Sequence, residues 1–419
     1  MTAVVAPPPQ PEAVEKKVEK GAGLLHEYVT RNLTSQQIEE ERRAQLARIG
    51  ALRQSAVLTY AARLTAMPVQ APTQILYDDL LPFTDMLANC DGDRIAIILE
   101  THGGVGEIGR EMVEILHERF THVTFIVPGT AKSTGTIMVL GADEIMMGTS
   151  SSLGPIDAQI AQDGKQYSAD ALIEGLDRIK EEVVNSGKLN AAYIPILQKL
   201  SPGELEHARN ALQFARETVR EWLVKYKFRE WEHHSSTGLP VTLDEKRNRA
   251  DEIAAALCSQ ARWRTHGRSI RIADLRALRL KITNYEDDPE LADAINRYYV
   301  LLRMTFEGGN VYKIVETPAA TLAMRFKLQV TQIEQAGIQQ ANQQAKSATG
   351  DVPCPHCGTP IKIQIDFEPG VSRTPGATRY PAGGQLPCPS CGKTVNLEPA
   401  LAEVEANVGK KALDPQPTD

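Results

Sequence analysis

Apolar residues in the first third of the chain fall into short unbroken runs separated by stretches of helical period. Ile95-Ala96-Ile97-Ile98-Leu99 and the run Val123 to Val127 are continuous and rich in β-branched residues, the pattern of strands covered on both faces. Glu144 to Met147 predicts a third such strand, and Arg53 to Arg63, with Ala56, Val57, Leu58 and Tyr60, a strand ahead of them. Helices are predicted in between. Leu76 to Leu87 is one; Ile108, Met112, Ile115 and Leu116 mark another; a short one runs from Ser133 to about Leu140. Strand, helix, strand at this spacing means crossover connections and a mostly parallel sheet.

The remaining segments read differently. Leu33 to Arg53 is highly charged, with Ile38, Leu46 and Ile49 at wide helical spacing, and predicts a surface or partner-contacting helix. Ser168 to Val184 is amphipathic, and longer helices are expected from Pro202 to Phe228 and from Leu243 to Gln260. Leu322 to Ile338 fits two periods. Leu322, Phe326, Val330 and Ile333 suit a helix, while Leu322, Met324, Phe326, Leu328 and Val330 alternate as in a strand. The expected organisation is a disordered tail and charged helix over 1–50, an α/β domain over 51–315 and a linker segment over 316–350. A metal module over 351–400 and a disordered tail over 401–419 complete it.

A chain of 419 residues exceeds what one core organises, which agrees with a domain plus a module. The 46 basic and 53 acidic residues leave a mild net charge of −7, with no basic footprint for nucleic acid or an anionic membrane surface. No run approaches the ~18 apolar residues of a membrane span, and the first residues lack the apolar stretch of a secretion signal. The expectation is a cytoplasmic protein without a membrane span.

Two arrangements carry chemistry. In Val127-Pro128-Gly129-Thr130-Ala131-Lys132-Ser133-Thr134-Gly135-Thr136, a buried strand runs into a short loop and a serine stands at the start of a helix. Free N–H groups and the positive helix end favour negative charge there, which suits a nucleophilic hydroxyl and a tetrahedral oxyanion. The same place also suits a serine that merely caps the helix. Gly103-Gly104, after the strand that ends at Leu99, offers a second patch of unobstructed backbone at the strand ends, or an ordinary turn.

The second arrangement is Cys354-Pro355-His356-Cys357-Gly358 with Cys388-Pro389-Ser390-Cys391-Gly392. Two Cys-x-x-Cys-Gly knuckles can turn four thiolates onto one ion, the closed tetrahedral set of structural zinc. The spacer from Gly358 to Pro387 exceeds the usual ~15–20 residues and predicts a zinc ribbon with a long hairpin insert. Two disulfides are the alternative. Cys90 and Cys258 are single and expected to be buried.

Four motifs in order resemble the serine dehydrogenase proteinase family, related to signal peptide peptidase A and of the ClpP/crotonase-like fold. They are Glu100-Thr101-His102-Gly103-Gly104; Val127-Pro128 through Thr136; Gly141-Ala142-Asp143-Glu144-Ile145; and Ser152-Leu153-Gly154-Pro155-Ile156-Asp157-Ala158-Gln159. Trp263-Arg264-Thr265-His266 is similar to a later element of that family, to which a structural role is attached. The resemblance implies an α/β, mostly parallel ClpP/crotonase-like sheet with helical elaborations beside the zinc ribbon. It implies a peptidase with Ser133 as nucleophile and Gly103, Gly104 and Thr134 at the backbone oxyanion-hole positions. His102 stands where the family has proline, Thr134 where it has glycine, and Lys132 where it has an apolar residue.

ClpP's histidine base is matched in place by Asp157, which suits a substrate contact better than a base. Relatives that use lysine point to Lys165 or Lys180. Lys180 projects between Ile173 and Leu176 on the expected buried side of its helix, where lost solvation lowers an amine's pKa; snorkelling to solvent is equally compatible. The expected function is a serine endopeptidase of Ser–Lys type, Ser133 with Lys180, acting on protein or peptide, with His102 a further substrate contact. A homo-oligomer and a partner held through the zinc ribbon go with it. Two rivals share the fold: an inactive scaffold whose ribbon binds a protein or nucleic acid, and a crotonase-type acyl-CoA enzyme, which needs no serine at 133.

Overall fold

The computed structural model describes residues 23–67, 71–156, 159–162, 165–265, 267–326, 346–408 and 410–413. Its apolar runs become β1 (Ala56–Ala62), β2 (Arg94–Glu100), β3 (His122–Val127) and β5 (Glu144–Met147), with the two-residue strands β4 (Thr130–Ala131) and β6 (Ser152–Leu153) beside them. After a ribbon of β7 (Gln159–Gln162) and β8 (Lys165–Ser168) come β9 (Thr283–Asn284), β10 (Val311–Glu316) and β11 (Thr321–Arg325). Seven of these form one sheet in the order β11-β10-β1-β2-β3-β5-β9. From β1 to β9 its pairs are parallel; β10 and β11 close one side antiparallel.

Alternation along each strand explains why the runs are apolar throughout. Leu58, Tyr60, Ile95, Ile97, Leu99 and Phe125 belong to one core, and Val57, Ala61, Ala96, Ile98 and Ile126 to the other. The first core is closed by α3 (Leu80–Leu87), α4 (Gly106–Arg119), α5 (Thr134–Leu140), α8 (Pro202–Trp222) and α9 (Leu243–Cys258). The second is closed by α2 (Ser35–Arg53) and α12 (Pro289–Gly308). The mainly parallel α/β architecture is the one expected. Its strand ends at Glu100 and Val127 bring the Gly103-Gly104 loop and the Ser133 loop to one edge.

Two expectations are corrected and one open alternative is decided. The charged helix is not a surface element: α2 lies along α12 with Arg42, Leu46 and Ile49 buried. Arg42 forks onto Glu316, Nε to Oε1 at 2.9 Å and Nη2 to Oε2 at 3.0 Å, while Tyr298 and Thr321 donate to the same carboxylate. A buried arginine looks like a surface residue until its partner, far along the chain, is known. The two-period segment opens as strand β11, decided by the free edge of β10; residues 327–345 lie outside the described residues. The tail expected from 401 is, as far as Val408, part of a helix, Glu398–Val408, whose Ala400 and Val404 pack into the C-terminal module.

That module pairs Ser347–Pro353 with Pro360–Asp366 and Gln385–Pro387 with Thr394–Asn396. Val352, Ile361, Ile363, Ile365, Val395 and Leu397 form its core, and Met67, Ala71 and Tyr312 of the α/β domain pack against it. Among the described residues no helix is long and apolar enough to cross a membrane.

Candidate active site and metal centre

Ser133 sits where β4 turns into α5, with φ 50° and ψ −119°. A side chain in that left-handed region is strained by about 1–3 kcal/mol, which the surrounding structure must offset. Its hydroxyl does not cap α5, so the plain N-cap role falls away. The strain is held by bonds on both sides. Gly135 N–H donates to Lys132 O at 2.8 Å and Thr136 N–H to Ser133 O at 2.8 Å. Thr136 Oγ1 reaches Ala131 O at 2.9 Å and Gly154 O at 3.0 Å.

The glycine loop lies directly against this elbow. A Cβ on Gly103 would stand 2.7 Å from Ser133 Cβ, and one on Gly104 2.3 Å from Ile75 backbone N and O, so neither position admits a side chain. Ile75 N–H donates to Gly103 O and Val105 N–H to Ile75 O, both at 2.9 Å, which leaves the Gly104 amide on the opposite edge, toward Thr134. Thr134 Oγ1 donates to Gly104 O at 2.6 Å and locks the two loops together. Of the three expected oxyanion donors, Gly103 N–H is already given to Thr101 Oγ1 at 2.9 Å. The N–H groups of Gly104 and Thr134 have no partner among the described residues.

The lysines behave unlike the expectation. α6 (Ala169–Ser186) packs its apolar Ala169, Leu172 and Ile173 with Ala208 and Leu212 of α8, and beyond Leu176 it is mostly exposed. The Lys180 side chain is 62% exposed and its amine pairs with Asp177 at 3.1 Å, so this arrangement does not bring it to Ser133. The apolar face read from the sequence is real, but its packing into an apolar cluster is at the first two turns. Lys132, the departure from the family's apolar residue, is better placed. Its amine donates to Leu153 O at 2.9 Å, Arg268 O at 3.0 Å and Ser269 Oγ at 3.3 Å, and burial pulls its pKa down to about 8. His102 is exposed and meets Leu64 O at 3.2 Å. Asp157 and His266 lie outside the described residues, and Lys165 opens β8.

Glu100 is the residue that sequence reasoning passed over. It is 1% exposed, at the end of β2 directly before the glycine loop. Its Oε2 accepts from Thr130 N–H at 3.1 Å on the serine loop, and its Oε1 from Tyr299 Oη at 3.0 Å, with Arg303 3.8 Å away. One carboxyl thus ties both loops to α12. Burial raises its pKa to about 7 against these favourable contacts. Because the folded value lies above the ordinary carboxyl value, the folded state holds the proton longer, and stability is lost as pH rises from about 4.5 to 7. Glu100→Gln keeps an acceptor for Thr130 and should exceed wild type by about 3 kcal/mol at pH 8, a gain that fades toward pH 4.5. Thermal melts of both proteins at pH 5 and pH 8 check this; an equal gap at both would refute it.

Residues 24–195 match the family described as ClpP-like SDH-type serine proteinase. The match covers both loops of the elbow, β1 to β6 and all but the last described turn of the α6–α7 arm, where α7 is Ile194–Leu197. The chain is also similar to two uncharacterized proteins of Methanocaldococcus jannaschii. One is 35% identical over 89 residues, 21% of this chain and 29% of the relative; the other is 31% identical over 84 residues, 20% and 28%. The chain therefore spans under a third of the length of these curated relatives. Among solved structures, a membrane-bound stomatin-specific protease aligns at 14% identity with a TM-score of 0.30, over 53% of this chain and 79% of that one.

Outside the matched proteinase segment, Cys354, Cys357, Cys388 and Cys391 come together, every sulfur within 4.8 Å of the others. Cys354 and Cys391 sulfurs are 3.7 Å apart, as are those of Cys357 and Cys388, well beyond a disulfide bond. A tetrahedron with such edges has its centre about 2.3 Å from each sulfur, the zinc–thiolate distance. The knuckles are equivalent: Gly358 N–H returns to Cys354 O at 2.8 Å and Gly392 N–H to Cys388 O at 2.9 Å, with φ 74° and 71° at the glycines. The four residues fit a metal. Cys90 and Cys258 are buried and form no disulfide among the described residues.

Proposed function

We propose that this protein is a serine endopeptidase that cuts protein or peptide chains through an acyl-enzyme on Ser133. The observation that carries the reading is the strained Ser133 backbone beside two unengaged N–H groups, those of Gly104 and Thr134. Ser133 Oγ attacks the scissile carbonyl carbon, and the carbonyl oxygen becomes an oxyanion received by these two N–H groups. A lysine amine takes the hydroxyl proton and passes it to the departing amine; water then releases the acyl group by the reverse sequence. Glu100 acts behind the site as a positioning residue.

In this reading the base is Lys180, reached by movement of the exposed half of α6 or from a neighbouring copy. Val184, Leu189, Ile194 and Ile196, exposed on the same arm, support a homo-oligomer. The cysteine cluster holds structural zinc, the ribbon offers a partner surface, and the lack of disulfides among the described residues suits the cytoplasm.

The test is covalent labelling of the full chain by a fluorophosphonate, together with cleavage of an unfolded protein. Labelling at Ser133 supports the reading. Absence of both labelling and cleavage in the assembled protein leaves the inactive scaffold instead. Lys180→Met is expected to abolish turnover and Lys165→Met to retain most of it. If Lys180→Met stays active while Lys132→Met is dead, the base is Lys132.

A further inference from the structure

Gln74, Ile75 and Leu76 flank the glycine loop on the edge opposite Thr134, and a cleft of about 670 Å³ opens there. Arg63, Thr65, Thr73, Gln74 and His102 contribute to its lining. His102 is the neighbour of Gly103, so the cleft begins one residue from the Ser133 contact.

Arg63 is the unusual member. It is 3% exposed, yet no carboxylate lies within 4 Å of it among the described residues. Its Nε donates to Thr65 Oγ1 at 3.1 Å, its Nη1 to Gly309 O at 3.3 Å and its Nη2 to Ala66 O at 3.3 Å. The remaining N–H groups of Nη1 and Nη2 have no partner among the described residues. Among the described residues the other fully buried cations are neutralised: Arg42 by Glu316 at 2.9 Å and Lys313 by Asp79 at 2.6 Å. Glu307, whose charge acts on Arg63, is itself held by Arg303 at 2.6 Å. A guanidinium stays charged at any working pH, and burying it against neutral oxygens alone is costly unless an anion joins it.

We propose that this cleft is a carboxylate subsite, in which Arg63 receives an acidic group of the bound peptide. The planar fork of Arg63 fits a carboxylate, and the Thr65 and Thr73 hydroxyls and the Gln74 amide in the lining supply further donors. This deepens the peptidase reading, since the subsite adjoins the loop that would hold the oxyanion. The acidic group is either an Asp or Glu side chain or the terminal carboxylate of the peptide.

The experiment uses the full chain carrying Ser133→Ala and fluorescein-labelled decapeptides read by anisotropy. One peptide has an internal Glu and an amidated end, one is neutral with a free terminal carboxylate, and one is neutral and amidated. At least one carboxylate peptide is expected to bind about 10- to 100-fold more tightly than the amidated neutral one, and which of the two does so identifies the source. Arg63→Gln should erase that preference while the neutral peptide binds as before. If Arg63→Gln melts early, Arg63→Lys, which keeps the charge but not the fork, should retain a reduced preference. Equal binding of all three peptides overturns the subsite. With Ser133 restored, carboxylate peptides that bind selectively but are never cut overturn the peptidase reading and leave the subsite standing.

Discussion

Ser133→Ala is expected to lower peptide hydrolysis by roughly 10⁴- to 10⁶-fold, the scale seen when a nucleophile that works as part of a unit is removed. The fold should not suffer. Ser133 Oγ makes no capping bond, and alanine relieves none of the bonds that hold the elbow, which run through Lys132 O, Ser133 O and Thr136 Oγ1. Near-identical thermal melts with loss of turnover and of fluorophosphonate labelling would therefore assign the loss to chemistry. Residual activity within tenfold of wild type would remove Ser133 from the nucleophile's role. The strained φ would then need another explanation.

Removing the metal should have the largest structural effect. Purified protein is expected to carry about one zinc per chain, on Cys354, Cys357, Cys388 and Cys391. Metal binding in small ribbons is worth on the order of 10 kcal/mol and is effectively their folding energy. Chelation, or Cys388→Ser at a buried ligand, should thus unfold the C-terminal module while the sheet that lies between two helical layers stays intact. Limited proteolysis with metal analysis reads this directly: cutting within 346–413 and a resistant core. Because Met67 and Ala71 pack against the module, the cleft they border should also change its ligand affinity. A metal-free preparation whose module resists proteolysis would sink the zinc assignment.

What the sequence determined by itself was everything carried by local pattern. Unbroken β-branched runs specify strands buried on both faces, since only a doubly covered strand needs no polar side. Thus β2, β3 and β5 were legible as they stand. The Cys-x-x-Cys-Gly knuckles were equally legible, because ligand spacing and the glycine turn are short-range geometry. So was the placement of Ser133 between a buried strand and a helix.

What only the tertiary structure decided depends on partners distant in the chain. Arg42 became interior because Glu316 meets it across 274 positions. Lys180 became solvent-facing because the apolar cluster that α6 makes with α8 is confined to its first turns, a limit no periodicity reveals. Gly103 and Gly104 look alike in sequence, but the Thr101 hydroxyl occupies one amide and the pairing with Ile75 turns the other toward Thr134. Glu100 and Arg63 show the same rule for charge. Their burial and neighbours, contributed by α12 and by the segment that follows it, turn ordinary surface residue types into a clamp behind the serine and a buried cation with no carboxylate partner among the described residues.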